Sequence, residues 1–246
     1  MILKNDKVDI LYDATREFFE KRTKKYNDAN PYSVTMLQDK NPEIAIERNI
    51  KATEKIIPKL ELNINSKVLD VGCGIGRWSD AIKTEIDEYC GTDFCEGMIQ
   101  IAKERNKELK NRHFYVSENT QIAEKMEENH EGKFSRVILM GTLMYLNDFD
   151  VIKTLSATES VCMPETIICI GESIGIEERL TLKEYWSEEL NDIYNAVYRT
   201  RNEYAEMFQH TLIDKGFKTV EEGFIYEDRR LNNRDETAQY YFILRR

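Results

Sequence analysis

Residues 68–76 read Val68-Leu69-Asp70-Val71-Gly72-Cys73-Gly74-Ile75-Gly76, and Arg77-Trp78-Ser79-Asp80-Ala81-Ile82 follows. An apolar run that ends in glycines predicts a short strand turning into a helix. The glycines let the main chain bend sharply and approach a ligand where a Cβ would intrude. The helix that starts at the turn directs free N–H groups toward whatever polar atoms lie there. Asp70 comes two residues before the first glycine, a place from which a carboxylate can receive a cationic amine. The spacing is D-x-G-x-G-x-G, not the G-x-G-x-x-G of dinucleotide-binding loops.

A second acid follows. Tyr89-Cys90-Gly91-Thr92-Asp93-Phe94 reads as a strand, and Asp93 lies 23 residues after Asp70. An acid at about that distance can hydrogen-bond both hydroxyls of a ribose; capping the next helix is its other reading. Together these segments resemble the class I S-adenosylmethionine-dependent methyltransferases. "VLDVGCGIG" matches their first motif and "GTDFCEGMIQIAKE" their second, and the likeness spans roughly residues 64–175.

The resemblance implies S-adenosyl-L-methionine as cofactor. The glycine loop, with Gly72, Cys73 and Gly74, then passes under its methionine half, and Asp70 helps hold its amino group. Asp93 takes the ribose, while Phe94 and Met98 flank the adenine. Glu118, with Asn119 as an equal candidate, meets the adenine amine. Met140 and Gly141 line the sulfonium end. Arg77 and Trp78, at the start of the helix, touch cofactor or lid, and Arg22 or Arg48 pairs with the cofactor's carboxylate.

The chain has 246 residues, enough for one domain with an appended cap. Its net charge of −10, with no long Lys/Arg block, disfavours a nucleic-acid substrate. Asn30-Pro31-Tyr32 has one proline in a polar break, unlike the N-P-P-Y of base-modifying amino-methyltransferases. The five cysteines have no paired metal spacing and fall in apolar segments, so no metal site and reduced thiols in a cytoplasmic protein are expected. No run of about 18 apolar residues occurs, so no membrane partner is expected. The expected assembly is a monomer or homodimer.

Residues 1–60 read as helical, broken at Asn27 to Tyr32, with Pro42 in a first turn. They predict a cap or lid in which Tyr12, Phe18, Phe19, Tyr26 and Tyr32 are available to cover the cofactor. From residue 61 to 246 strands and helices alternate, with strands near 67–71, 88–93, 112–116, 134–140, 165–171, 217–226 and 238–244. Alternation of this kind predicts an α/β fold, a mostly parallel seven-stranded Rossmann-like sheet with helices on both faces. Residues 176–200 break the pattern and are read as a helical insertion with an aromatic face, seated over the strand ends.

Methyl transfer is an in-line displacement at carbon, and the cofactor supplies the activated group. The protein has to align the partners and exclude water. A hydroxyl acceptor gains from a base, whereas an amine needs only a free lone pair. Glu172, after the fifth strand of the sheet, is the first choice for an acid/base or substrate anchor. Tyr145 either closes over the cofactor or touches substrate, and His210 is a further candidate. The expected function is methyl transfer to a small-molecule acceptor, with a hydroxyl of a sugar-derived metabolite preferred. The alternatives are N-methylation of a small amine, a non-catalytic S-adenosylmethionine-binding protein, and an NAD-dependent dehydrogenase, which would leave Asp70 unexplained.

Overall fold

The computed structural model describes residues 1–246. In chain order the elements are β1 (Ile2–Lys4), α1 (Tyr12–Thr23), α2 (Ser33–Met36), α3 (Pro42–Ile56), β2 (Lys67–Val71), α4 (Arg77–Ala81), β3 (Glu88–Asp93), α5 (Glu96–Arg105), β4 (Arg112–Val116), α6 (Ile122–Glu128) and β5 (Phe134–Met140). They continue as α7 (Asp148–Ser160), β6 (Cys162–Gly175), β7 (Leu180–Ser187), β8 (Asp192–Tyr198), α8 (Arg201–Thr211), β9 (Lys218–Phe224) and β10 (Thr237–Arg245). No helix is long and apolar enough to cross a membrane.

Seven strands form one sheet in the order β4-β3-β2-β5-β6-β10-β9. Strands β2 to β6 run parallel, and β10 pairs antiparallel with both β6 and β9. Side chains alternate along each strand, so the two faces bury separate cores. Leu69, Val71, Val137, Leu139, Ile168 and Ile170 pack on one face with α8 residues Tyr204 and Phe208. Val68, Ile138, Ile167 and Cys169 pack on the other with Ala52 and Ile56 of α3 and with Trp78. Strand order reverses at β2, which pairs with β3 on one side and β5 on the other. The glycine turn leaves β2 at that crevice, where open α/β sheets receive ligands.

Local chemistry explains the helix starts. Pro42 opens α3 at a position that needs no N–H. Thr200 and Glu203 form a capping box at the start of α8, each side chain bonding the other's main-chain N–H.

Residues 176–200 are not helical. They form the β7–β8 hairpin, and β1 pairs with β7 to make a second, three-stranded antiparallel sheet. The period is two rather than 3.6, with a register irregularity between Leu182 and Tyr185 that exchanges the faces: Leu180, Leu182, Tyr194, Ala196 and Tyr198 face a small core with Phe18, while beyond the irregularity Trp186 pairs with Ile193 and both stand exposed. The stretch is rich in Thr, Ile, Val and aromatic residues, which suit a half-buried pleated surface. Expecting a helix here mistook aromatic density for helical spacing. The insertion does sit over the strand ends, since Tyr194 reaches the cavity described below.

If alternation governs this hairpin, Leu182→Ala, which empties the buried face, will cost about 2–4 kcal/mol in denaturant unfolding. Trp186→Ala, on the exposed face, will cost under about 1 kcal/mol. Equal losses would contradict the assignment of faces.

Candidate active site

A cavity of about 390 Å³ opens over the C-terminal ends of the parallel strands, under α1 and the β7–β8 hairpin. Its size falls within the range of small-ligand sites, about 300–1,000 Å³. Gly72, Cys73, Gly74, Arg77, Trp78, Asp93, Phe94, Met98, Glu118, Asn119, Met140, Gly141, Arg48 and Tyr145 all border it. Asp70, Glu172 and His210 do not.

The glycine turn is built for close approach. Gly72, Gly74 and Gly76 have φ of 72°, 54° and 79°, a region costly for other residues. A Cβ on Gly72 would lie 2.2 Å from Thr142 Oγ1, so this turn and the one after β5 touch. Thr142 Oγ1 also donates to the Val71 carbonyl at 3.1 Å, tying the two turns together. Gly141, with φ of 72°, meets nothing within 4 Å at its Cβ position, so it leaves its side of the cavity open.

Asp93, at the end of β3, is fixed by two main-chain donors: Gly74 N–H at 2.9 Å and Cys95 N–H at 2.9 Å. Asp93 is not the N-cap of α5, which is Cys95, but it fixes the turn before that helix and borders the cavity. Burial pushes its carboxyl up to about 6, against the pull of those two bonds. Beyond it, Glu118 accepts from Arg16 at 2.6 Å, and the Arg16 guanidinium lies 5.0 Å over the Phe94 ring. Met98 is buried beside Phe94 and lines the same wall. Of the proposed covering aromatics, Tyr12 and Phe19 border the cavity. Phe18 is core, Tyr32 donates to Asp80, and Tyr26 donates to Asp28. Arg22 is spent on Asp39, two peptide carbonyls and the packing of α1.

Two site expectations, Glu172 and His210, need correction, and Asp70 stands behind the cavity rather than on its wall. Asp70 lies beneath the glycine turn, where Tyr89 donates its phenol proton to one carboxylate oxygen at 2.5 Å and the other oxygen has no protein partner. Its carboxyl is buried and pushed up to about 7 by desolvation, against the Tyr89 bond and the nearby Arg77 charge. Its residue is on the strand face that carries Val68 and Tyr89, so it braces the loop from behind. Glu172 is wholly buried and accepts three main-chain N–H groups, from Thr142 at 2.9 Å, Leu143 at 2.8 Å and Met144 at 3.1 Å. Its neighbours Gly171 and Ser173 line the cavity, and strand alternation turns Glu172 to the other face. His210 is exposed on α8 and lies 3.6 Å from Asp214, away from the cavity. Neither Glu172 nor His210 is placed to handle a proton of a substrate.

The turn after β5 is instead gripped from both sides. Arg199 donates to the carbonyls of Leu143 at 3.0 Å and Leu146 at 2.7 Å, and is held by Asp148 at 2.8 Å. Glu172 takes the N–H groups of that turn and Arg199 its carbonyls, so a short irregular segment is almost fully satisfied although buried. The turn carries Tyr145, whose hydroxyl lies 2.8 Å from that of Tyr194. Burial holds both phenols well above their ordinary value.

Sequence reading did not find the opposite wall. Ser173 comes from β6, Gln239 from β10, and Ile225, Tyr226 and Asn233 from the segment between β9 and β10, with Met36 and Leu37 from the end of α2. Their placement depends on strand pairing across the sheet, which spacing along the chain does not encode.

The cavity suits an adenosyl cofactor on internal grounds. It has a glycine cradle, a buried carboxylate at the end of β3 and buried polar atoms that no protein group satisfies: Trp78 Nε1, Arg48 Nε and Asn119 Oδ1. Asn119 thereby offers a free acceptor where an adenine amine is expected.

Comparison with known proteins agrees. Residues 68–165 match the family described as "Methyltransferase domain". Phosphoethanolamine N-methyltransferase of Plasmodium falciparum is 26% identical over 205 residues, covering 71% of this chain and 77% of that protein. Demethylmenaquinone methyltransferase of Staphylococcus haemolyticus is 30% identical over 76 residues, covering 30% of this chain and 32% of that one. Among solved structures, Haemonchus contortus phosphoethanolamine N-methyltransferase 1, in complex with phosphoethanolamine and S-adenosylhomocysteine, superposes with a TM-score of 0.67 at 20% identity. That match covers 96% of this chain and 50% of the other, and at such identity it speaks for the fold.

Burial outweighs the three N–H bonds at Glu172 and raises its carboxyl from an ordinary 4.5 to about 7. The folded chain thus retains a proton that the unfolded chain releases. The stability this contributes is full below about pH 4.5 and is lost as pH rises toward 7. Glu172→Gln, which turns an NH2 toward some of those donors, should lower stability by about 1–3 kcal/mol. The gap from wild type, followed by thermal unfolding, should narrow between pH 5 and 8. A gap that widens with pH would contradict this placement.

Proposed function

The chain is a class I S-adenosylmethionine-dependent methyltransferase, and we propose that its acceptor is a small molecule methylated at nitrogen. The observation that carries the choice of nitrogen is the composition of the cavity wall beyond Met140 and Gly141. There stand Met36, Leu37, Arg48, Tyr145, Ser173, Tyr194, Ile225, Tyr226, Asn233 and Gln239, with no carboxylate and no histidine. The three carboxylates that border the cavity are already engaged: Asp93 accepts from Gly74 and Cys95, Glu118 pairs with Arg16, and Asp150 accepts from Tyr12.

A hydroxyl acceptor loses its proton during transfer and gains from a base beside it. The phenols at this end are held protonated by burial, so they donate or accept hydrogen bonds but are poor bases. An amine brings its own lone pair. The aromatic walls of Phe19, Tyr145, Tyr194 and Tyr226 also favour an amine that gains positive charge as it is methylated. The reading replaces the earlier preference for a sugar hydroxyl. It is supported by the N-methyltransferase relatives, whose substrate names belong to those proteins.

In this reading Asp93 binds the ribose, Phe94 and Met98 bracket the adenine, and Asn119 accepts from its amine. The glycine turn, Arg77 and Trp78 hold the amino-acid portion. When bound, S-adenosylmethionine supplies a methyl group already activated by a sulfonium. Gly141 lets an acceptor approach closely, and α1 with the hairpin keeps water out. Tyr145, braced by Tyr194 and by the gripped turn, orients the amine. Residues 1–60 act as the cover of this site.

A direct test supplies labelled S-adenosylmethionine with matched pairs of small amines and alcohols. Label is expected on amines. Transfer to alcohols alone would overturn the nitrogen assignment, and no S-adenosylhomocysteine binding would overturn the whole site.

The Asp93 carboxylate accepts ribose hydroxyls only when ionised, and its free-state value is about 6. S-adenosylhomocysteine should therefore bind about tenfold more weakly at pH 5 than at pH 7.5 by calorimetry. In Asp93→Asn that pH dependence should vanish, with affinity weaker throughout by about 1–3 kcal/mol. A flat wild-type profile would remove Asp93 from the ribose.

A further inference from the structure

Four arginines have side chains more than nine-tenths buried: Arg22, Arg48, Arg179 and Arg199. Three of them have a carboxylate in contact. Arg22 meets Asp39 at 2.6 Å, Arg179 meets Asp148 at 2.9 Å and Glu203 at 3.0 Å, and Arg199 meets Asp148 at 2.6 Å. Arg48 has no carboxylate within 4.0 Å. Its Nη1 donates to the Met36 carbonyl at 3.3 Å and to Asn233 Oδ1 at 2.6 Å, both neutral, and its Nε has no partner. Glu189 acts on it only from a distance. Arg48 also borders the cavity.

Burying an unpaired guanidinium costs several kcal/mol. Such a group persists where a ligand brings the counter-charge. The same cavity holds a second cation with no carboxylate in direct contact: Arg77, whose Nη1 donates to Asn49 at 3.2 Å, whose guanidinium stacks 4.3 Å over Trp78, and on which the buried Asp70 acts from a distance. The cofactor has one carboxylate, so it neutralises one of the two. Arg77 follows the glycine turn directly and opens α4, next to the cofactor's amino-acid end. Arg48 stands on α3, one residue before the Asn49 that Arg77 bonds, and its own side chain is turned to Asn233, while the Tyr226 hydroxyl donates to the Arg48 carbonyl at 3.2 Å.

Resting on the methyltransferase reading above, we propose that the acceptor is an anionic amine, and that Arg48, with Asn233, binds its phosphate or carboxylate. The assignment makes Arg48 a specificity residue and leaves the cofactor's carboxylate to Arg77.

The test is calorimetric and needs no turnover. Protein saturated with S-adenosylhomocysteine is titrated with phosphoethanolamine, β-alanine and ethanolamine, using wild type, Arg48→Met and Arg48→Lys, each checked for an unchanged thermal transition. At least one of the two anionic amines should bind more tightly than ethanolamine, and which of them does so distinguishes phosphate from carboxylate. That advantage should fall about tenfold or more in Arg48→Met and partly return in Arg48→Lys. Affinity for S-adenosylhomocysteine itself should change by less than about threefold. A loss of about tenfold in S-adenosylhomocysteine binding by Arg48→Met would overturn the proposal and give Arg48 to the cofactor. Equal binding of all three amines would also overturn it, while label transfer to any amine would leave the nitrogen reading standing.

Discussion

The cavity depends on a buried carboxylate that never touches it. Glu172 gathers the N–H groups of Thr142, Leu143 and Met144, and Arg199 takes carbonyls of the same turn. An irregular segment inside a protein is normally costly because its peptide groups lose water. Here one acid and one base satisfy it, so the turn can leave β5 at the crevice rather than at the surface. Thr142 then locks onto the main chain of β2, and Gly72 must lack a side chain for the two turns to meet. One wall of the site, with Gly141 and Tyr145, is therefore as rigid as the sheet.

The opposite walls are assembled differently. Asp93 is oriented by main-chain donors from the glycine turn and from the start of α5, so the glycine turn and this acid form one unit. The roof is contributed by distant parts of the chain. α1 is joined to the rim through Arg16 with Glu118 and Tyr12 with Asp150, and the hairpin supplies Tyr194. The Arg16–Glu118 ion pair is exposed and contributes little to stability, on the order of 0–1 kcal/mol. The cover is held in place instead by the burial of Phe18 and Arg22 on α1.

Much of this was legible in the sequence because it is local. Strand alternation with helices, the glycine turn and the position of Asp93 each follow from spacing within about thirty residues. What escaped is set by parity and by long-range pairing. Glu172 was chosen by position along a strand, yet a strand sends successive side chains to opposite faces, and one residue decides between cavity and core. Gly171 and Ser173 face the site that Glu172 was expected to serve. Strand β1 is three residues long and acquires meaning only through its pairing with β7, far away in sequence. Asn233 and Gln239 are ordinary polar residues until β10 inserts beside β6.

The central claim is that the space between the glycine turn and the Glu172-gripped turn holds an adenosyl cofactor in a fixed orientation. A crystal structure with S-adenosylhomocysteine tests it most directly. The account places the ribose hydroxyls on the Asp93 carboxylate and the sulfur beside Gly141, with the turn at residues 142–146 unmoved. A ligand bound elsewhere, or bound here in reverse with its ribose at Gly141, would contradict it.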